Sequence, residues 1–296
     1  NNEIYYGGKV MEKKLLKRSL SFAMMIAVVF STIIASSFIK ANAAETEKAV
    51  TLTQGENTSQ HDTVQEAVAA VAADNTQAVI TLNKDFEGAG AVVKKDQNIV
   101  FNLNGFTWNI NSLVGSSGTE TNGVQLLQGS TVTIENGTLT SKTAKLLIQN
   151  YCDLTIRNAT LSGQDNLTEI IVSNNNGSTV ITGNSAVQAA AGGIAFDSDK
   201  WGGYQGGNVT LENGQVIGNV NATNGGKISL NGGTVTGDVI ASNYTYQGNE
   251  KTPANIVIDG ATINGNVTAQ NIGNISISSG TVTGLVSSES TSPVAV

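Results

Sequence analysis

The sequence predicts an all-β chain wound as a single parallel β-helix, a solenoid of about eight rungs with an N-terminal capping α-helix. Three observations predict it. Apolar-x-apolar triplets recur at a fixed spacing, with further apolar, Gly and Asn columns repeating at the same intervals. The composition is rich in Gly (33 residues) and poor in Pro (2), with 13% charged and 5% aromatic residues. Apolar content is nonetheless 40%, too high for a disordered tail. A single short segment departs from the strand pattern and reads as a helix.

The N-terminal part is expected to lie outside the fold. Met11 opens a basic stretch with Lys13, Lys14, Lys17 and Arg18, an apolar run follows from Phe22 to Ala35, and Ala41-Asn42-Ala43 matches an A-x-A cleavage site. Residues 11–43 are therefore expected to be a secretory signal peptide; an uncleaved anchor over Ser21–Ile39 is the alternative. Residues 1–10 precede the signal, and Gly7-Gly8-Lys9-Val10-Met11 is compatible with a translated ribosome-binding site, so they read as upstream mistranslation. Loss of residues 1–43 would leave 10 basic and 21 acidic residues, a net charge of −11. Such a surface repels nucleic acid and anionic membrane, so neither is expected as a partner. Cys152 is the only cysteine, so no internal disulfide can form.

Residues 44–60 read as a linker, and 61–296 as the β-helix domain. Its first segment, His61–Ala73, places Val64, Ala67, Val68 and Val71 on one helical face behind the capping box Thr63-x-x-Glu66. A solenoid exposes a sheet edge at its end, so this helix is expected to cap it.

The repeat is clearest downstream. Triplets begin at Val209, Ile228, Ile256 and Ile275, at intervals of 19, 28 and 19 residues. The same intervals separate Val216, Val235, Ile263 and Val282, the glycines 218, 237, 265 and 284, and Val220, Val239, Val267 and Val286. The interval of 28 is thus one unit of 19 with nine residues inserted after Asn243. A looser version runs back through Leu154 with Leu161, Val132 with Leu139, and Val180 with Val187. Phe101 and Val79 mark irregular first turns, and about eight units result over 79–290. A 19-residue unit is a loop of about 60 Å, suited to one rung of a three-sided coil stacked at about 4.8 Å.

The columns VTIENGTL, LTIRNATL, VTLENG and ISLNGGTVTG resemble those of the pectin-lyase-like superfamily of right-handed parallel β-helix proteins, and are most similar to non-enzymatic secreted or surface members from Gram-positive bacteria. The resemblance spans about residues 75–290 and implies right-handedness and a secreted or cell-surface location in a Gram-positive bacterium. It implies no activity by itself. The enzymes of this superfamily include pectate lyases, with an acidic calcium cluster and a basic catalyst, and polygalacturonases, with paired-Asp and Gly-His-Gly motifs. Neither motif set occurs here, and the lone His61 falls in the capping segment. Arg157, the only arginine after the signal, is expected beside Glu135 on the adjacent rung, as a surface ion pair. No cofactor, metal or catalytic residue is assigned.

Aromatics are few yet gather in insertions: Trp201 and Tyr204 in FDSDKWGGYQGG, Tyr244 and Tyr246 in YTYQGNEKT. Both insertions precede an anchor triplet, so they are expected at one corner, two rungs apart, with Tyr151 further along it. Aromatic faces beside Asp and Gln suit sugar rings. The expected ligand-binding residues are therefore Trp201, Tyr204, Tyr244, Tyr246, Asp197 and Asp199, and the expected partner a polysaccharide or cell-surface glycan. The rival is an enzyme, a polysaccharide (pectate-type) lyase with a degenerate or unrecognised site, or else a glycoside hydrolase. A flat ice- or crystal-binding face of Thr133, Thr155, Thr210, Ser229 and Ser276 is a weaker third reading, with Ile181 and Val257 interrupting that column.

Overall fold

The computed structural model describes residues 47–163, 168–200, 206–243, 252–289 and 293–296. The chain divides into two units, Asn1–Glu47 and Lys48–Val296, and every described strand and the helix belong to the second. This unit is an all-β, parallel-strand solenoid. One sheet has nine strands, all parallel, among them Asn122–Leu126, Leu146–Asn150, Ile170–Asn174, Ile194–Ser198, Asn219–Thr223 and Val239–Ser242. The remaining strands form a 17-stranded sheet that turns a corner. The strand Asp153–Ser162 shows how: its first half pairs with Ser178–Thr182 and its second with Ala186–Gln188, both in parallel. The corner falls at Asn158 (φ 51°), stacked over Asn136 (φ 58°). Both are left-handed, a conformation Asn tolerates better than most side chains.

The registers reproduce the sequence columns. Val209 pairs with Ile228, Ile228 with Ile256 and Ile256 with Ile275. Val220 pairs with Val239 and Val239 with Val267. The nine-residue insertion therefore leaves both sheets in register, as alternation requires: a one-residue slip would turn a strand's apolar set outward. Val209, Leu211, Val216, Val220, Ile228, Leu230, Val235, Val239, Ile256, Ile258, Ile263 and Val267 are all buried. The core is bulky in the early turns, where Phe101 and Trp108 meet at 5.5 Å between ring centroids. It narrows later to alanines, at Ala222, Ala241 and Ala269.

Two sequence expectations need correction. First, the anchor at Val180 is displaced by one residue. Leu154 pairs with Thr179 and Ile156 with Ile181, so Thr179 and Ile181 point inward while Val180 takes the outward column. Val180, not Ile181, thus interrupts the outward Thr/Ser column, and Thr182 stands beside Arg157 on the next rung. The physical reason is a buried amide ladder. Asn150 donates to Asn174 Oδ1 (2.7 Å) and to Thr179 Oγ1 (2.9 Å), and Thr179 Oγ1 donates to Asn174 Oδ1 (2.8 Å). A polar residue can occupy the inward position because its neighbours satisfy it.

Second, residues read as a linker hold a hairpin. Val50–Gln54 pairs antiparallel with Asn57–His61 and with Gln77–Leu82. Val50 and Leu52 are buried while Asn57–Gln60 are exposed. The helix itself is Val64–Ala70, shorter than the apolar pattern, with Val64, Ala67 and Val68 buried. Thr63 Oγ1 accepts from Glu66 N (3.0 Å), and Glu66 in turn accepts from Asp62 N (3.1 Å), one residue before the expected reciprocal donor. At the other end Gln97 Nε2 donates to Val68 O (3.0 Å) and Val71 O (3.1 Å), satisfying terminal carbonyls.

Candidate functional site

The outward face of the nine-stranded sheet carries an uninterrupted polar column. Register places Gln125 beside Gln149, Gln149 beside Ser173, Ser173 beside Asp197, and Asp197 beside Asn221. Next in line is Ile240, which ends it. These residues alternate with inward neighbours, as Phe196 and Ser198 flank Asp197; Ser173 is buried and Gln125, Gln149, Asp197 and Asn221 are half-buried. A second column lies just past the strand ends. Tyr151 N bonds Leu126 O, Asn175 N bonds Asn150 O, and Asp199 N bonds Asn174 O, so these three residues stack, with Thr223 at the corresponding place in the next rung.

The two columns are tied together by side chains. Gln149 Oε1 accepts from Gln125 Nε2 (2.8 Å) and Asn122 Nδ2 (2.9 Å), while its Nε2 donates to Tyr151 Oη (3.0 Å). Asn175 Nδ2 donates to Asp199 Oδ1 at 2.6 Å, and Thr223 Oγ1 donates to Asp197 Oδ1 at 3.2 Å. Asn221 Oδ1 is a buried acceptor with no hydrogen-bond partner. Burial, and then the neighbouring Asp199, push the Asp197 carboxyl up to about 7, against the Thr223 hydroxyl, which favours ionisation. Burial likewise raises Asp199, opposed by the Asn175 hydrogen bond. Backbone packs tightly beneath the pair. A Cβ on Gly226 would lie 1.7 Å from Ser198 O, so only glycine fits the adjoining rung there.

No protein-family model matches the chain. No curated protein and no solved structure matches it either. The functional reading therefore rests on the residues themselves.

Of the expected ligand-binding residues, Asp197 and Asp199 lie together at one end of a nine-stranded-sheet strand, on the corner that leads into the first aromatic insertion. Trp201, Tyr204, Tyr244 and Tyr246 lie outside the described residues. Tyr151 stands in line with Asp199, as the corner argument expects. Sequence reasoning missed Gln125, Gln149, Ser173, Asn175, Asn221 and Thr223. The run Ser173-Asn-Asn-Asn176, polar at the end of an apolar strand, is the signal that could have found them.

Other candidates separate from this site. Arg157 Nε donates to Glu135 Oε2 (3.0 Å) on the 17-stranded sheet, a different face from the aspartates, so the structure does not bring base and acids together. His61 Nε2 contacts Ser59 Oγ at 2.9 Å, in the N-terminal hairpin. Cys152 is buried, and desolvation, with Asp153 adding to it against a hydrogen bond from Ser130, pushes its thiol up to about 12. A thiol held protonated there is a poor nucleophile. Among the described residues no group of three or more His, Cys, Asp or Glu side chains could hold a metal ion, and no helix is long and apolar enough to cross a membrane.

Proposed function

We propose that this chain is a secreted, non-catalytic, right-handed parallel β-helix of about eight rungs, of the pectin-lyase-like kind, that binds carbohydrate or mediates contact at a bacterial cell surface. The observation that carries the reading is the column Gln125–Gln149–Ser173–Asp197–Asn221 with Asn175, Asp199 and Tyr151 beside it. The half-buried Gln125, Gln149 and Asp197 of this column carry amide and carboxyl groups that can donate to and accept from sugar hydroxyls. Trp201, Tyr204, Tyr244 and Tyr246 complete the proposed site as faces for the apolar side of the rings. In this reading the helix Val64–Ala70 and the hairpin before it cap the N-terminal end, replacing a bare parallel edge with antiparallel, outward-polar strands.

The test is affinity electrophoresis and pull-down of the full chain with soluble and insoluble polysaccharides. Retardation by at least one polysaccharide is expected, weakened by Asp199→Ala and by Ala at the four aromatic positions together. Binding that all these variants leave intact would place the site elsewhere.

A further inference from the structure

Independently of any glycan, we propose that two copies of this chain join tail to tail, through the free edge of the nine-stranded sheet at Val286–Ser288 and the exposed apolar residues beside it. The two edges of that sheet differ. Its first strand, Ala91–Val93, has Ala91 and Val93 buried, and the helix Val64–Ala70 packs against it. Its last, Val286–Ser288, pairs with Val267–Ala269 on one side, is exposed throughout, and meets no strand on the other among the described residues. The adjoining strand Asn274–Val282 is open too, since Val294–Ala295 covers only its Ile275 and Ser276. Such an edge displays unpaired N–H and C=O groups and templates a further strand.

This rung also breaks a rule the earlier ones keep. At the corner leading into the nine-stranded sheet, a side-chain oxygen accepts the N–H of the corresponding residue one rung on. Asn219 Oδ1 accepts from Asp238 N (3.0 Å), Asp238 Oδ1 from Asn266 N (2.8 Å), and Asn266 Oδ1 from Leu285 N (2.9 Å). Leu285 has no oxygen to offer a following rung, and it is 77% exposed. Val286 is 44% exposed, although Val220, Val239 and Val267 of its column are fully buried. Ile277 and Val282 are half-buried where Ile258 and Ile263 are buried. A ladder that stops at leucine suits an apolar cover better than another polar turn.

Charge selects a second copy as that cover. The chain carries −7 overall, yet residues 274–296 hold a single charged side chain, Glu289. Its carboxylate is turned back to accept from Asn271 N (3.0 Å). A charged partner finds nothing here to pair with, whereas a second copy brings the same uncharged columns at the same spacing. The opposite end is a poor mate: Asn57–Gln60 is exposed and polar, with Lys48 and Asp62 ion-paired beside it. The contact is therefore isologous. A two-fold axis across the solenoid sets the two Val286–Ser288 strands antiparallel, continues the sheet from one copy into the other, and closes at two copies. A rung of about 60 Å encloses roughly 300 Å² of backbone, and about twice that with its side chains. The pair would then bury about 1,200 Å² in all, the lower end for a specific interface, which suits micromolar affinity.

Sedimentation velocity of the full chain over about 1–200 μM reads the association. Monomer passing to dimer, with nothing larger, is expected. Leu285→Asp should weaken dimerisation at least about tenfold, whereas Ile217→Asp, at an exposed apolar site on the 17-stranded sheet, should not. Circular dichroism checks that both variants keep the fold. Ser287→Cys, with copper phenanthroline as oxidant, should yield a pair joined through residue 287, because the native Cys152 is buried. A chain that stays monomeric over the whole range or grows beyond the dimer would overturn the inference. So would a dimer that Leu285→Asp leaves intact, that Ile217→Asp weakens equally, or that Ser287→Cys fails to cross-link. None of these results bears on glycan binding, which the polysaccharide pull-down tests separately.

Discussion

Replacing Asp197 by Asn tests the electrostatics of the site through stability. Asp197 sits near 7 in the fold, whereas an unfolded chain would hold it near about 3.9. A carboxyl raised on folding contributes stability that is fully present below the unfolded value and is lost as pH rises through the folded value. The wild type should therefore lose this contribution progressively between about pH 4 and about pH 7. A gap of about 3 units corresponds to at most about 4 kcal/mol. Because Asp197 is only half-buried, we expect about 1–3 kcal/mol. The groups facing it are Asp199, which repels its charge, Thr223, which donates to it, and the uncharged Ser173 and Asn221 of the flanking rungs. Asn keeps an acceptor for Thr223 and carries no charge. In urea unfolding at about pH 4 and about pH 8, Asp197→Asn should match the wild type at the lower pH and exceed it by about 1–3 kcal/mol at the higher. Equal differences at both pH values, or a wild type that gains on the variant as pH rises, would refute the reasoning.

Other perturbations probe the frame that positions the site. Asn174→Ala removes the acceptor that serves both Asn150 and Thr179 in the interior, and should cost about 2–4 kcal/mol in chemical denaturation; a loss below about 1 kcal/mol would mean the ladder is dispensable. Gly226→Ala drives a Cβ into Ser198 O and should cost at least about 3 kcal/mol or abolish folding, read as the thermal midpoint. Gln97→Ala leaves Val68 O and Val71 O without their side-chain donor, so hydrogen exchange over 64–70 should quicken while the nine-stranded sheet keeps its protection. Arg157→Ala should cost about 1–2 kcal/mol in urea unfolding: Arg157 is half-exposed, but Glu135, which it serves, is 13% exposed and would lose its cation.

The later rungs were legible in the sequence because they obey one rule: apolar side chains inward, at a constant spacing. Val209, Ile228, Ile256 and Ile275 show it without exception, and the insertion after Asn243 does not disturb it. The rule misleads where a buried residue is polar and satisfied by neighbours in adjacent rungs. Thr179 looked outward by composition, yet its partners Asn150 and Asn174 lie 29 and 5 residues away in sequence. The hairpin at 50–61 escaped notice for another reason: Asn57-Thr-Ser-Gln60 has no apolar face, being an edge strand exposed along its length. For the site, Asp197 and Asp199 could be picked out as acids beside an aromatic insertion. The amide column could not, because Gln125, Gln149 and Asn221 acquire meaning only once register sets them side by side.

Hydrogen exchange with and without a bound polysaccharide tests the central claim most directly, because it reports where the ligand lies. Added ligand should slow exchange over 146–151, 170–175, 194–199 and 219–223, in adjacent rungs of the nine-stranded sheet, and leave the 17-stranded sheet unchanged. Protection confined to the 17-stranded sheet, or to the hairpin and helix of residues 50–70, would contradict the assignment of the polar column as the binding face.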